Sequence, residues 1–201
     1  MVVKVIRLSD DYSSKLGLKK VRKRKKPDLE DYGQLNMFKS PDSKVVQFQP
    51  PKSFFDIAFN HDENGRYEDA EDYYLKAINK GELKDDSYCN LGILKTKQGK
   101  LSESVDLFSK ALQENPRHLE SHFNLGNVYS DLGNDQLAKF HYETAILIDP
   151  NFSDVFYNLA LLFIEQKSYE DAIRALMKYQ QLLAFSDDSI ESLINDLKSL
   201  M

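Results

Sequence analysis

Residues 119–152 read LESHFNLGNVYSDLGNDQLAKFHYETAILIDPNF. In the first half, apolar residues recur three or four positions apart, which is the spacing of one face of an α-helix, and Gly133-Asn134 breaks this pattern. A second helical pattern runs from about Asp135 to Ile148. It stops at Asp149-Pro150, because a proline disfavours helical backbone in the residue before it. The stretch therefore predicts two helices joined by a tight turn.

The same pattern recurs along the chain with a period of 34 residues. Several independent columns keep this period: Ala70, Ser104, Ala138 and Ala172; Tyr74, Phe108, Tyr142 and Leu176; Ala77, Ala111 and Ala145; Gly65, Gly99 and Gly133; Ile57, Leu91, Leu125 and Leu159; and Pro116 and Pro150. A constant period of this length predicts a solenoid of stacked helix pairs, in which each pair contacts only its neighbours.

The motif HFNLGNVY at 122–129, followed by Ala138, Tyr142, Ala145 and Pro150, resembles the tetratricopeptide repeat signature, and the resemblance covers residues 51–186. It implies an all-α fold, a right-handed α-α superhelix of four helix pairs. The repeats implied are 51–84, 85–118, 119–152 and 153–186. The first and fourth repeats depart from the signature at Ala58, Ala160, Lys167, Tyr179 and Ala184. Such departures are typical of terminal repeats, which have one face without a neighbouring repeat.

Residues 187–201 predict one more helix after the fourth pair. Asp188 and Glu191 have the spacing of a capping box. The apolar stripe consists of Ile190, Leu193, Ile194, Leu197 and Leu200. We expect this C-terminal capping helix to cover the open face of the last repeat.

Glycine inside a helix needs a reason, since it costs roughly 1 kcal/mol relative to alanine. Gly92 and Gly126 occupy the same position of the second and third repeats. Their recurrence predicts that a neighbouring helix approaches too closely there for a side chain.

The resemblance also implies that the first helix of each pair lines a concave groove. The side chains expected to bind a peptide in this groove are Phe55, Asn90, Phe123, Asn124, Asn127, Tyr157 and Asn158. Because an asparagine amide both donates and accepts, asparagines at one-repeat spacing are suited to the backbone of an extended peptide. Two alternatives are that asparagine is simply common at this position across the family, and that the aromatic rings serve only to pack one repeat on the next.

Charge divides the chain into two parts. Residues 1–50 carry 12 Lys and Arg against 6 Asp and Glu, whereas residues 51–201 carry 15 against 26. The first part has neither helical nor strand periodicity, and we expect a flexible, disordered basic arm. The acidic repeats favour a ligand of basic or neutral polar character, and they lack the basic residues with which related domains clamp a C-terminal carboxylate.

The arm contains seven basic residues within the eight-residue run 19–26, namely Lys19, Lys20, Arg22, Lys23, Arg24, Lys25 and Lys26. Such a run predicts binding to nucleic acid or another polyanion. Two alternatives are that the run keeps a tail solvated, or that it docks back on the acidic repeats.

A second feature of the arm resembles the short peptide by which bacterial replication and repair proteins bind the sliding clamp. It consists of Gln34, Leu35, Met37 and Phe38. Alternatives are a hydrophobic anchor against the first repeat or a chance match.

Other function classes find little support in the sequence. Cys89 is the single cysteine, and no segment approaches the roughly 20 apolar residues of a spanning helix. His118 and His122 flank Glu120, a spacing that differs from that of zinc proteases. The sequence therefore predicts a cytoplasmic, non-enzymatic adaptor that binds a protein or peptide, with no cofactor, metal or small-molecule substrate. The alternative is a regulator whose arm contacts nucleic acid or a sliding clamp while the repeats recruit a protein.

Overall fold

The computed structural model describes residues 16–21, 53–183 and 187–201. Within these ranges the chain forms nine α-helices and no strand, which confirms the all-α prediction. The helices are α1 (Phe54–Glu63), α2 (Tyr67–Lys80), α3 (Lys84–Lys97), α4 (Leu101–Glu114), α5 (Leu119–Asp131), α6 (Asp135–Ile148), α7 (Ser153–Glu165), α8 (Tyr169–Leu182) and α9 (Asp188–Lys198).

The helices pack as consecutive pairs. The first helix of each pair packs on the second, and each second helix also contacts the first helix of the next pair. Among the first helices, α5 contacts both α3 and α7 directly across the repeats. This arrangement places the first helices side by side along one wall of the array.

The turn inside each pair requires left-handed backbone. Gly65, Gly99 and Gly133 have φ values of 72°, 74° and 71°, a region that glycine enters without steric cost. In the fourth pair Lys167 takes the same place with φ of 58°, which is uncommon for a residue with a side chain.

The glycines inside α3 and α5 lie where rings of the neighbouring helices touch the backbone. A Cβ atom on Gly126 would lie 2.4 Å from Cε1 of Tyr142, and one on Gly92 would lie 2.8 Å from Cε1 of Phe108. The predicted close approach is therefore present in both central repeats.

The ninth helix packs on α8 through its apolar stripe. Ile190, Leu193, Ile194 and Leu197 are all buried there. The capping residue is Asp187 and not the predicted Asp188, since the Asp187 side chain accepts from the Ser189 N–H at 3.0 Å. Glu191 then lies four positions after the cap, one too many for the reciprocal capping box that the sequence suggested.

Two buried histidines join α5 to α6. Nδ1 of His122 lies 3.0 Å from Nδ1 of His141, and Nε2 of His122 lies 3.2 Å from the carbonyl oxygen of Pro116. A carbonyl can only accept, so Nε2 of His122 carries its proton and Nδ1 of a neutral His122 accepts. His141 therefore donates from Nδ1, and this hydrogen bond requires a neutral His122.

This pair predicts a loss of stability in acid. Burial, and to a lesser degree the nearby His122, lower the pKa of His141 to about 4, and burial also lowers the pKa of His122. The unfolded chain, with histidine pKa values near 6.5, then binds protons that the folded chain does not. Stability is therefore lost as the pH falls from about 6.5 toward 4.

We expect a His141→Asn variant, whose amide places a non-titrating donor near the Nδ1 position, to lose less stability over this range than the wild type. Thermal unfolding of both proteins at several pH values measures the difference. Parallel pH profiles would contradict the assignment of this loss to the histidine pair.

Candidate functional site

Residues 16–21, with the sequence LGLKKV, lie along the wall formed by the first helices. We call these residues the groove segment, and the surface that α1, α3, α5 and α7 present to them the groove. The groove segment has no regular secondary structure. Its first residue contacts α7 and its last contacts α3, so it runs opposite to the order of the repeats.

Three asparagines, one on each of three successive first helices, bind the main chain of the groove segment. Each accepts a hydrogen bond from the N–H of one residue and donates a hydrogen bond to the C=O of the same residue. The pairs are Asn158 with Leu16 (2.7 and 3.0 Å), Asn124 with Lys19 (2.9 and 3.1 Å) and Asn90 with Val21 (2.9 and 3.0 Å). These contacts involve no side chain of the segment.

Further polar groups orient the asparagines. Oδ1 of Asn127 accepts from the Tyr142 hydroxyl and from Nδ2 of Asn158, both at 2.7 Å, while its Nδ2 donates to the Leu16 carbonyl at 3.3 Å. Burial raises the pKa of Tyr142, so its hydroxyl remains a donor. The same ring lies against Gly126, and the packing of the repeat therefore fixes the position of the binding amides.

The aromatic residues predicted for the groove are buried. Phe55 belongs to the apolar cluster between the first two pairs, in which no groove-segment residue takes part. Phe123 packs edge-on against Phe152 with ring centroids 5.0 Å apart. Phe123 and Tyr157 share a cluster against which Leu16 of the segment packs. Phe55 thus packs between repeats, the alternative that the sequence left open.

The apolar side chains of the groove segment are also covered. Val21 is buried in the cluster of the second and third repeats, and Leu18 packs against the same cluster. Cys89 belongs to this cluster too, and burial raises the pKa of its thiol to about 12. The thiol is therefore protonated at neutral pH and is a packing group here.

Carboxylates at both ends of the groove bind the two lysines of the segment. Nζ of Lys20 lies 2.8 Å from Oδ1 of Asp62 and 3.0 Å from Oε1 of Glu63, both at the end of α1. Lys19 forms an ion pair with Asp154 at the start of α7. Burial alone would lower the pKa of Lys20, but its hydrogen bonds and charge interactions with the two α1 carboxylates outweigh this effect and raise it. These carboxylates were not among the residues predicted from the sequence, although the net acidity of the repeats was a signal for them.

The other residues of the predicted arm sites are outside the described ranges. They are Arg22, Lys23, Arg24, Lys25 and Lys26 of the basic run and Gln34, Leu35, Met37 and Phe38 of the clamp-type peptide. Lys19 and Lys20 are the described members of the basic run, and both pair with carboxylates of the repeats.

One set of possible metal ligands occurs in the described part of the chain, formed by Asp85, Asp86 and His118. His118 already has two partners, because its Nδ1 accepts from the Ser121 N–H at 3.1 Å and its Nε2 lies 3.0 Å from Asp86. The ring therefore caps α5 and anchors it to α3. This arrangement explains His118 without a metal.

None of the described helices combines the length and the apolar character that crossing a membrane requires.

Family models described as tetratricopeptide repeat match residues 51–79, 85–118, 119–152 and 141–174. Together these segments span more than half of the 201 residues. No curated protein sequence matches the chain.

Solved structures resemble the array at low sequence identity. MamA from Desulfovibrio magneticus RS-1 (its residues from 41 to the end) superposes with a TM-score of 0.63 at 19% identity, over 73% of this chain and 82% of that one. A tetratricopeptide repeat protein from Parabacteroides merdae has a TM-score of 0.64 at 21% identity, over 73% of this chain and 59% of that one. The Sgt2 tetratricopeptide domain from Aspergillus fumigatus has a TM-score of 0.53 at 22% identity, over 58% of this chain and 78% of that one. At these identities the likeness concerns the fold.

Proposed function

Because the chain belongs to the tetratricopeptide repeat family, whose members are generally non-enzymatic protein-interaction modules, we propose that it is an adaptor that holds an extended polypeptide in the groove. One observation carries the proposal: three asparagines at one-repeat spacing each pair with both main-chain groups of a single residue of the groove segment. A main chain is common to every polypeptide, so this wall is suited to hold a segment of a protein partner.

The energetics favour a chain that enters the groove without secondary structure. Each neutral hydrogen bond contributes about 1 kcal/mol net, and an extended chain has free N–H and C=O groups to offer. A helix uses those groups internally and would leave the buried asparagine amides without partners, at a cost of about 1–3 kcal/mol each. The side chains of the groove therefore favour an extended ligand over a helical one.

Asn124→Ala tests the role of the asparagines, since it removes both bonds to Lys19. We expect the Lys19 amide of the full chain to exchange with solvent deuterium about tenfold faster in this variant, which corresponds to roughly 1.4 kcal/mol. Exchange followed by nuclear magnetic resonance measures it.

The control is Asn195→Ala, which removes an exposed asparagine from α9. In the wild type, the amides of Leu16, Lys19 and Val21 should exchange more slowly than those of Gly17, Leu18 and Lys20, which donate to no described group. Equal exchange at all six amides would contradict the proposal that the groove holds a main chain.

The adaptor role itself is tested by affinity purification with the full chain and with an Asn90→Ala/Asn124→Ala/Asn158→Ala variant. We expect a protein that the wild type retains to be lost by the variant, while the variant keeps the helical circular dichroism of the folded repeats. Retention by both proteins would place the binding surface elsewhere.

The alternative function is that the basic run contacts nucleic acid, and a salt titration distinguishes it from peptide binding in the groove. Binding through the run should weaken steeply as the salt concentration rises, because phosphate contacts release counterions. Lys19 and Lys20 pair with carboxylates while the segment lies in the groove. Substituting these two should therefore change nucleic-acid affinity less than substituting Arg22 and Lys23.

A further inference from the structure

Asp62 at the end of α1 is a buried carboxylate whose negative charge is compensated by lysine side chains. The residue is 3% exposed, and among the described groups no uncharged donor forms a hydrogen bond with either of its oxygens. Its charge is balanced by Nζ of Lys20 at 2.8 Å and by Nζ of Lys97 at 3.8 Å. Lys97 is the more distant partner, and burial is the main reason why its pKa is lowered.

Departure of the groove segment would leave this carboxylate short of its nearer cation. A buried charge that loses its partner is strongly destabilised, and an arriving chain that brings a positive charge removes this penalty. Asp62 therefore discriminates among ligands in a way that the asparagines do not, because the asparagines contact only the main chain.

The opposite end of the groove repeats this chemistry. Asp154 pairs with Lys19, whose Nζ also lies 6.0 Å from the centroid of the Phe152 ring. Lys20 reaches carboxylates of α1 and Lys19 reaches Asp154 of α7. Leu16, Leu18 and Val21 pack on the apolar clusters between these two ends of the groove.

From these contacts we propose that the groove selects a partner segment with two consecutive basic residues flanked by apolar ones, and that residues 16–21 are an internal copy of this ligand which the partner displaces. This inference rests on the proposed function, since it identifies the chemistry of the polypeptide that the asparagines hold. The partner is a protein with an exposed, extended dibasic stretch.

The test uses the full chain with Lys19→Gln/Lys20→Gln, which weakens the internal copy, and a fluorescent peptide of residues 14–23, SKLGLKKVRK. Fluorescence anisotropy should show at least tenfold tighter binding of this peptide to the substituted chain than to the wild type. The control protein is Lys110→Gln/Lys198→Gln, which loses the same charge at exposed positions and should bind like the wild type.

Matched peptides test the selectivity. A peptide with glutamine in place of Lys19 and Lys20 should bind the substituted chain at least tenfold more weakly than a peptide with glutamine in place of Lys15 and Lys23, although the two have equal net charge. An Asp154→Lys change in the substituted chain should weaken the original peptide, and a peptide with Lys19→Glu should restore binding. Asp154 is partly exposed, so this variant avoids the folding risk of replacing buried Asp62.

The outcomes separate the inference from the proposed function. Equal binding of the two glutamine peptides overturns the dibasic selectivity and leaves main-chain binding intact. Protected segment amides with no peptide binding overturn the inference, because the segment is then a fixed part of the fold. Unprotected amides together with no peptide binding overturn both.

Light scattering should show a monomer. A stable dimer that excludes the peptide would identify a second copy as the occupant and overturn displacement by a partner.

Discussion

Gly126→Ala should lower the free energy of unfolding by about 1–3 kcal/mol, although alanine is the better helix former. The added Cβ would lie 2.4 Å from Cε1 and 2.5 Å from Cδ1 of the Tyr142 ring. That ring is fully buried, and its hydroxyl is bonded to Asn127, so it cannot shift without disturbing the groove. Calorimetric unfolding measures the change, expected as a fall of several degrees in the melting temperature.

A double-mutant cycle checks the cause of this effect. In a Tyr142→Leu background the facing ring is absent, and Gly126→Ala should then be far less costly, or stabilising by up to about 1 kcal/mol. An equal loss in both backgrounds would contradict the explanation by steric contact with the ring.

Leu193→Asp should cost about 3 kcal/mol or more, because it places an unpaired carboxylate in an apolar interface. Leu193 is 2% exposed and belongs to the cluster that α9 forms with the fourth repeat. The expected results are a lower melting temperature and binding of a hydrophobic dye to the uncovered face of α8.

Ser192→Asp is the matched control, since it adds the same carboxylate to an exposed position one residue away on α9. It should change the free energy of unfolding by less than about 0.5 kcal/mol. If both variants melted like the wild type, α9 would not be needed to cover the array.

The repeats were predictable from the sequence because their constraints are local. The breaks at Gly133-Asn134 and Asp149-Pro150 bound the predicted second helix at Asp135–Ile148, and α6 has those bounds. The turn requires a positive φ at Gly133, and the Tyr142 ring leaves no room for a side chain at Gly126. Both requirements are visible in the sequence as glycines that recur with the repeat. The apolar stripe of α9 was equally clear, whereas its cap was placed one residue too late because Asp187 and Asp188 are chemically identical candidates.

The candidate site was predictable only in part. Asn90, Asn124 and Asn158 stood out by their spacing, yet the sequence does not reveal which chain lies against them. The groove segment has no periodicity of its own, and its contacts join residues up to 142 positions apart. Asp62 was missed because its importance depends on burial, and burial at the end of a short first helix is set by distant residues.

The path of the groove segment has a consequence for cooperativity. Helical repeats usually interact only with their immediate neighbours, so the ends of an array can fray while its middle stays folded. Here the groove segment contacts α7 through Leu16, α5 through Lys19, α1 through Lys20 and α3 through Val21, which links the first and fourth repeats through one short segment. Local unfolding of either terminal repeat would therefore weaken the binding of the groove segment to the other terminal repeat. A polypeptide that replaced the segment would couple the stability of the two terminal repeats in the same way.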